Sequence, residues 1–273
     1  MRSLSLRGTQ VFSPTNFLRF IAVTFLILIP CADAANLRDT AVRSLPSTSK
    51  PAWPNQVEQL WKNQNWPALL VACKEWSATE PDPWEPWYCI AIAGLNAKLY
   101  NDSLRGFEAY QKREDPLLLT PDSIHNHAFV LGQLGRFDEA VSVIDEAIKI
   151  DASNHVIWAL RGWLLVNDKR YREARRSCLM SLQRNLDYAE TWHILGAANW
   201  GLGQNQLAIE AYEISVSLPQ DNPDIERSEY WLPLGELYVI TGQREKALRV
   251  LEMLDSMDKK RAETLRKQIA EMK

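Results

Sequence analysis

Apolar residues in most of the chain recur every three or four positions, which is the spacing of one face of an α-helix. Runs that alternate between apolar and polar residues, as a half-buried strand requires, are short and few. The apolar segments end at turn residues, of which Gly135, Gly203 and Gly242 are the clearest because a helix C-terminus favours a left-handed residue. The pattern therefore predicts an all-α chain of short helices joined by tight turns.

A second, longer period overlies the helical one. A large residue recurs at intervals near 34 residues with two longer steps, in a column formed by Trp53, Trp87, Ile124, Trp158, Trp192 and Trp231. Mostly small residues follow this column by four positions, at Val57, Ala91, Ala128, Gly162, Gly196 and Gly235. Sixteen positions after it stand Leu69, Ser103, Ala140, Ala174, Ala208 and Ala247. Twenty positions after it stand the mostly bulky residues Cys73, Phe107, Ile144, Cys178, Tyr212 and Leu251.

Four columns that share one period indicate helix–turn–helix units stacked into a solenoid. Large and small residues at helical spacing let two antiparallel helices approach closely at the small ones, while the large ones fill the space between helices. The predicted units cover residues 50–83, 84–117, 121–154, 155–188, 189–222 and 228–261. Residues 262–273 place Leu265, Ile269 and Met272 on one stripe and are predicted to form a C-terminal capping helix, with a partner-binding tail as the alternative.

The columns resemble the signature of the tetratricopeptide repeat (TPR) family, W-x2-L-G-x2-Y followed by A-x3-F. The sixth unit matches closely, through Trp231, Leu234, Gly235, Tyr238, Ala247 and Leu251. The fifth unit has Asn199 where tyrosine is usual, the third has Ile124 in place of tryptophan, and the first departs most. The resemblance covers about residues 50–261 and implies a superhelical solenoid of about six repeats.

The first 34 residues have a different character. Arginines precede an apolar run at residues 20–29, and Ala32, Asp33 and Ala34 follow it. A basic start, a short apolar core and an Ala-x-Ala exit are typical of a secretory signal peptide, so we predict cleavage after Ala34 and export to the periplasm or envelope. The alternatives are lipidation at Cys31 and an uncleaved segment that anchors the chain in the membrane. Polar residues 35–49 are predicted to form a flexible linker.

Export makes the remaining cysteines, Cys73, Cys89 and Cys178, relevant because oxidising compartments permit disulfides. Cys73 and Cys89 fall on neighbouring units, so a bridge between them is one hypothesis. The other, which the bulky column favours, is that Cys73 and Cys178 are unbridged core residues.

The composition gives no indication of catalytic chemistry. The formal net charge is −3, and no basic face is dense enough to indicate nucleic-acid binding. The cationic cluster at residues 169–176 is interpreted as a solvated helix face. His125 and His127 would point in different directions on a helix, and no HExxH, CxxC or glycine-rich phosphate loop occurs. We therefore predict a protein that is not an enzyme and has no cofactor and no metal.

The TPR resemblance implies where a partner would bind, because the fifth, ninth, twelfth and thirteenth places of each unit face a concave groove in that family. The residues at these places that we predict to contact a partner are Tyr88, Asn96, His125, Phe129, Gln133, Trp163, Asn167, His193, Trp200 and Glu236. Aromatic rings supply contact area and amides can bond a peptide backbone, which favours a partly apolar peptide or helix as the ligand. The alternative is that several of these rings belong to the core.

The sequence thus predicts an exported, non-catalytic scaffold or adaptor that binds an envelope protein and assists assembly of an envelope complex. The lysine-rich clamp with which some TPR domains bind acidic C-termini is not expected, since only Lys62 and a few asparagines occupy such places. The alternative function is structural self-association through exposed tryptophans. Trp163 and Trp200 are the candidates because they lie off the periodic column.

Overall fold

A computed structural model describes residues 54–113, 120–219 and 228–272 of the chain. These residues form thirteen α-helices and no strand, which confirms the all-α prediction. The predicted signal peptide at 1–34, the linker at 35–49 and Trp53 lie outside the described residues. In chain order the helices are α1 (Asn55–Lys62), α2 (Trp66–Thr79), α3 (Glu85–Asn96), α4 (Tyr100–Gln111), α5 (Pro121–Gln133), α6 (Phe137–Ile150), α7 (His155–Asn167), α8 (Tyr171–Leu182), α9 (Ala189–Gly201), α10 (Asn205–Ser217), α11 (Ser228–Ile240), α12 (Arg244–Met257) and α13 (Lys259–Ala270).

The helices stack in one direction as consecutive pairs. Each helix packs against the next along the chain, so α1 to α12 form six helix–turn–helix pairs. The first helices of successive pairs also contact each other, with α5 against α7, α7 against α9, and α11 against the final helix α13. This arrangement is an all-α repeat solenoid, in which each pair is stabilised mainly by its neighbours.

The small columns of the sequence lie where two helices of one pair approach most closely. The residues sixteen places after the tryptophan column are fully buried in every pair: Leu69, Ser103, Ala140, Ala174, Ala208 and Ala247. A methyl group added at Gly162 would lie 2.9 Å from the sulfur of Cys178, and one at Gly196 would lie 2.8 Å from the ring of Tyr212. The small column therefore makes room for the bulky column of the second helix.

All six pairs make the same turn between their two helices. The residue at the fifteenth place of each unit has a positive φ, and three of these residues are the glycines expected from the sequence, Gly135, Gly203 and Gly242, at 73° to 75°. The other three are not glycine: Gln64 has φ 52°, Lys98 59° and Lys169 62°. In these three turns a residue with a side chain adopts the left-handed backbone conformation, which is unfavourable for residues with a Cβ.

The periodic tryptophans form hydrogen bonds with the loops between pairs. Trp87, Trp158 and Trp192 each donate their indole N–H to the backbone carbonyl six residues earlier, at 2.9, 3.0 and 2.7 Å. An arginine 26 positions later covers two of these rings, with Arg113 4.7 Å above Trp87 and Arg184 5.1 Å above Trp158. The periodic tryptophans therefore hold the junctions of the solenoid and leave their outer edges partly exposed.

The first two pairs are joined covalently. Cys73 on α2 and Cys89 on α3 form a disulfide with Cα atoms 5.8 Å apart, which corrects the expectation that Cys73 is unbridged. The bulky column predicted that Cys73 packs in the core, and both cysteines of the bridge are indeed fully buried. Packing and bridging are therefore compatible here. Cys178 is the free cysteine of the described part of the chain, and it is buried as expected.

The last helix seals the C-terminal end of the solenoid. Ala262, Leu265 and Ile269 of α13 are buried against α11 and α12. Arg261 fixes its first turn through an ion pair to Glu229 at 2.7 Å and a hydrogen bond to the Ser228 hydroxyl at 2.8 Å. The outer face of α13 is polar and exposed, so the helix ends the stack without leaving an apolar surface.

Candidate functional site

We call the face formed by the fifth, ninth, twelfth and thirteenth places of α3, α5, α7, α9 and α11 the inner face. The structure divides its predicted contact residues into rings that are buried and polar groups that remain partly accessible. Trp163 is 1% exposed and Phe129 is 3% exposed, and their rings stack at a centroid distance of 5.4 Å. These two rings fill the space between α5 and α7, which corrects the expectation that they are open to a partner.

Three amides stand at the ends of successive first helices. The Nδ2 groups of Asn96 and Asn167 donate to the carbonyls of Ile92 and Trp163, each at 2.8 Å. In each asparagine amide the Nδ2 group donates and the Oδ1 atom accepts, so Oδ1 is the atom that can accept a bond from a ligand. The Nε2 atom of Gln133, at the equivalent place of α5, is buried and has no hydrogen-bond partner among the described residues.

The N-terminal half of the inner face is aromatic. Tyr88 contacts Trp84 and Tyr110 with ring centroids 6.2 and 5.2 Å away. Burial, with smaller effects from Tyr110 and Asp122, raises the pKa of Tyr88, so its hydroxyl stays protonated. Burial also lowers the pKa of His125 to about 4, so the imidazole is neutral near pH 7.

A compact polar and aromatic cluster occupies the C-terminal end of the inner face. The ring of His193 lies between Tyr212 and Tyr230, with centroids at 5.1 and 4.7 Å. Glu236 of α11 accepts a hydrogen bond from Gln268 of α13 at 3.0 Å. Burial lowers the pKa of His193 to about 4 and raises the pKa of Glu236, an effect that the bond from Gln268 opposes. We call these five residues the C-terminal cluster.

Trp200 and Ile240 are the more accessible large residues near this cluster. Trp200 is half-buried and packs against the core, whereas Ile240 is 48% exposed at the end of α11. Ile240 was missed in the sequence, although it occupies the same thirteenth place as Asn96, Gln133 and Asn167. Tyr212, Tyr230 and Gln268 were also missed, because they come from a second helix, a helix start and the capping helix.

Of the predicted set, Phe129 and Trp163 stack on each other, and His193 and Glu236 both neighbour Tyr212. The other members are distributed along α3, α5, α7 and α9. No group of three or more potential metal ligands occurs within these residues. In the same part of the chain, no helix has the length and apolar character needed to span a membrane.

The repeat is also recognised by comparison with known proteins. A family model described as tetratricopeptide repeat matches residues 121–154 and 189–222, the third and fifth units. The chain contains tetratricopeptide repeats.

Sequence relatives match parts of the TPR region. The chain is 33% identical over 92 residues to the Hsp70-Hsp90 organizing protein of Triticum aestivum, which covers 34% of this chain and 16% of that protein. It is 24% identical over 133 residues to human tetratricopeptide repeat protein 33, covering 47% of this chain and 51% of that protein. The matched region thus spans about half or less of the length of these relatives.

A solved structure shares the arrangement of most of the stack. The structure of PilW, described as a widely conserved type IV pilus biogenesis factor, is similar with a TM-score of 0.59 and 14% identity. The match covers 73% of this chain and 89% of PilW. At this identity the likeness shows the solenoid fold alone.

Proposed function

We propose that this TPR protein is a non-catalytic scaffold or adaptor that holds a peptide or helix of a partner protein on its inner face. The proposal depends on two buried atoms of this face, the Nε2 of Gln133 and the Nδ1 of His193. Neither has a hydrogen-bond partner among the described residues. Buried polar atoms of folded proteins are nearly always bonded, so these positions favour a ligand or ordered water. The Oδ1 atoms of Asn96 and Asn167, whose amino groups bond to the helix backbone, are further acceptors at the same place of their helices.

The chemistry of this row fits a polypeptide better than a small substrate. A peptide backbone supplies alternating donors and acceptors, which match amide and imidazole groups spaced along parallel helices. Ile240 adds an exposed apolar contact at one end of the row. The name of the wheat relative describes organisation of chaperone proteins by that TPR protein, which supports a protein partner here.

We place this function in the cell envelope. The basic start, apolar run and Ala-x-Ala exit in residues 1–34 support export. PilW, which shares the fold, is described as a pilus biogenesis factor, and this description supports a role in assembling an envelope structure. The burial of Trp163 removes one of the two rings expected to mediate self-association.

Site-directed photo-crosslinking in intact cells tests the proposal. A photoreactive phenylalanine is introduced at Asn167 or Ile240 on the inner face, and at Leu179, which is 44% exposed on α8, as the matched control. We expect a discrete adduct with another protein from the inner-face positions and none from Leu179. Adducts that form only from Leu179 would contradict the proposal, and adducts that contain only a second copy of this chain would favour self-association.

A further inference from the structure

Within the described residues, three neighbouring side chains of the C-terminal cluster carry buried hydrogen-bonding atoms without partners. The Nδ1 of His193, the hydroxyl of Tyr212 and the Oε1 of Gln268 are all buried and unbonded. Tyr212 is fully buried, and its hydroxyl experiences the charge of Glu236. Gln268 binds the same carboxylate through its amide nitrogen. The side chains that carry these atoms are therefore neighbours, because Tyr212 contacts the ring of His193 and both Tyr212 and Gln268 interact with Glu236.

The three unbonded atoms and the Glu236 carboxylate can all accept a hydrogen bond. The carboxylate of Glu236 and the Oε1 of Gln268 can only accept, and a neutral imidazole has one nitrogen that accepts. The Tyr212 hydroxyl can accept or donate. A group that donates several hydrogen bonds and carries positive charge is complementary to this set, since an ammonium has three donors and no acceptor.

Among the residues that the structure describes, Glu236 also differs from Glu229 and Glu213 in forming no ion pair. Glu229 forms an ion pair with Arg261 at 2.7 Å, and Glu213 forms one with Lys246 at 3.1 Å. Within the described residues, the Glu236 carboxylate accepts its hydrogen bond from the neutral amide of Gln268. A buried carboxylate without a counter-ion is unfavourable, so a cation from outside the chain would be stabilised there.

The aromatic rings of the C-terminal cluster also favour a cation. The faces of aromatic rings attract an ammonium through their quadrupole. Tyr212 and Tyr230 flank His193, and Glu236 is half-buried, so part of its surface remains accessible to a ligand. A carboxylate ligand, by contrast, would be repelled by Glu236 and would find few donors.

We propose that the C-terminal cluster is a subsite for the ammonium group of a lysine side chain on the bound partner, with Glu236 as its counter-charge. This inference rests on the proposed function, because it assigns a chemical preference to one end of the inner face. It predicts a partner segment with a lysine beside apolar residues, since Ile240 lies at the end of the same helix.

The test uses small probes and the mature chain. Binding of Nα-acetyl-lysine N-methylamide is compared with binding of Nα-acetyl-norleucine N-methylamide, which has the same four side-chain carbons without the ammonium group, by NMR shifts of the His193 ring and of the Glu236 carboxyl carbon. We expect the lysine probe to bind about tenfold more tightly, as a cation–π contact and an ion pair together allow. Saturation with it should also lower the pKa of Glu236, whereas the norleucine probe should not.

Matched variants separate the subsite from general charge effects. Glu236→Gln should abolish the preference for lysine, and Tyr212→Phe should weaken it. Glu213→Gln, which removes the same charge from a glutamate that is already paired with Lys246, should leave the preference unchanged. The Gln substitution resembles the protonated carboxyl that burial favours at position 236, so the fold should be retained, and circular dichroism checks this.

Equal affinity for the two probes in the unsubstituted protein would overturn the subsite, as would equal losses in Glu236→Gln and Glu213→Gln. These results are independent of the crosslinking experiment. Crosslinks at Asn167 without any lysine preference would reject the subsite and retain the scaffold. A lysine preference without crosslinks to another protein would retain the subsite and reject the scaffold.

Discussion

Single residues at the fifteenth place of each unit set the geometry of the turns, and they do so with unequal strain. Lys169 adopts φ 62° at the place where Gly203 adopts 73°. A residue with a Cβ is disfavoured in this region by roughly 1–2 kcal/mol. Substitution by glycine removes this cost, but it also raises the entropy of the unfolded chain, which offsets part of the gain in stability. We therefore expect Lys169→Gly to raise the free energy of unfolding by about 0.5–1 kcal/mol, measured by urea denaturation.

The reverse substitution provides the control. Nothing lies within 4 Å of a methyl group built at Gly203, so Gly203→Ala would alter backbone preference without a steric clash. It should lower the free energy of unfolding by about 1 kcal/mol. A neutral result for both variants would show that these turns relax without a penalty.

The same residues show how far the sequence alone could go. Glycine reveals a left-handed position, so three turns were predictable, whereas Lys98, Lys169 and Gln64 carry no such signal and their turns follow only from the period. The small and bulky columns were predictable because helix contact imposes them. The accessibility of Trp163 was not, because the same place on a first helix can face either the inner surface or the neighbouring helix, depending on ring size.

Between elements, the junctions of the solenoid depend on a tryptophan, a loop carbonyl and an arginine. Arg184 covers Trp158 and donates to the carbonyl of Ala152, which also accepts the indole N–H. The fifth unit has Leu218 where this arginine would stand. The cation therefore adds to a junction that the tryptophan can form without it.

Removal of that cation should weaken one junction. Arg184→Met keeps much of the aliphatic packing and loses the cation–π contact and hydrogen bonds, so the free energy of unfolding should fall by about 1–2 kcal/mol. Arg172→Met, at an exposed site on α8, is the matched control and should have little effect. If both variants had the same stability, the arginine contact would be a minor feature of the junction.

The disulfide gives the N-terminal pair a stabilisation that the other pairs lack. It joins cysteines 16 residues apart and links α2 to α3. A loop of about this length restricts the unfolded chain by about 3 kcal/mol. Because repeats open locally, reduction should increase amide hydrogen exchange in α1 and α2 and leave α9 to α12 unchanged.

Cys178→Ala serves as the background for this comparison, since it removes the buried free thiol from both redox states. Mass spectrometry after alkylation confirms that two thiols appear only on reduction. Identical exchange of α1 and α2 in the oxidised and reduced proteins would contradict a stabilising role for the bridge.

At the scale of the whole molecule, the solenoid buries imidazoles in several of its layers. Burial lowers the pKa of His125, His127 and His193 to about 4, and for His127 the charge of Arg136 contributes while Glu139 opposes it. His127 also bonds Gln111 through Nδ1 at 2.9 Å and stacks on Phe107. These groups are therefore neutral in the folded protein and become protonated on unfolding at acidic pH.

The consequence is a loss of stability in a defined pH window. The folded pKa lies below the unfolded value near 6.5, so the stabilisation is complete above pH 6.5 and decreases as the pH falls toward 4. At pH 5.5 each histidine should reduce the free energy of unfolding by about 1 kcal/mol relative to pH 7.5. Glu236 acts in the opposite direction, because its raised pKa favours the protonated folded form, but it is one group against three.

Urea denaturation at pH 7.5, 6.5 and 5.5 measures this loss, and His127→Phe should reduce its size by about a third. Salt-bridged carboxylates such as Glu139 and Glu263 have lowered pKa values, so their contribution is lost only below their unfolded values near 4.5. Losses between pH 6.5 and 5.5 are thus assigned to histidine. A pH dependence unchanged by His127→Phe would show that the buried imidazoles are solvated through local opening.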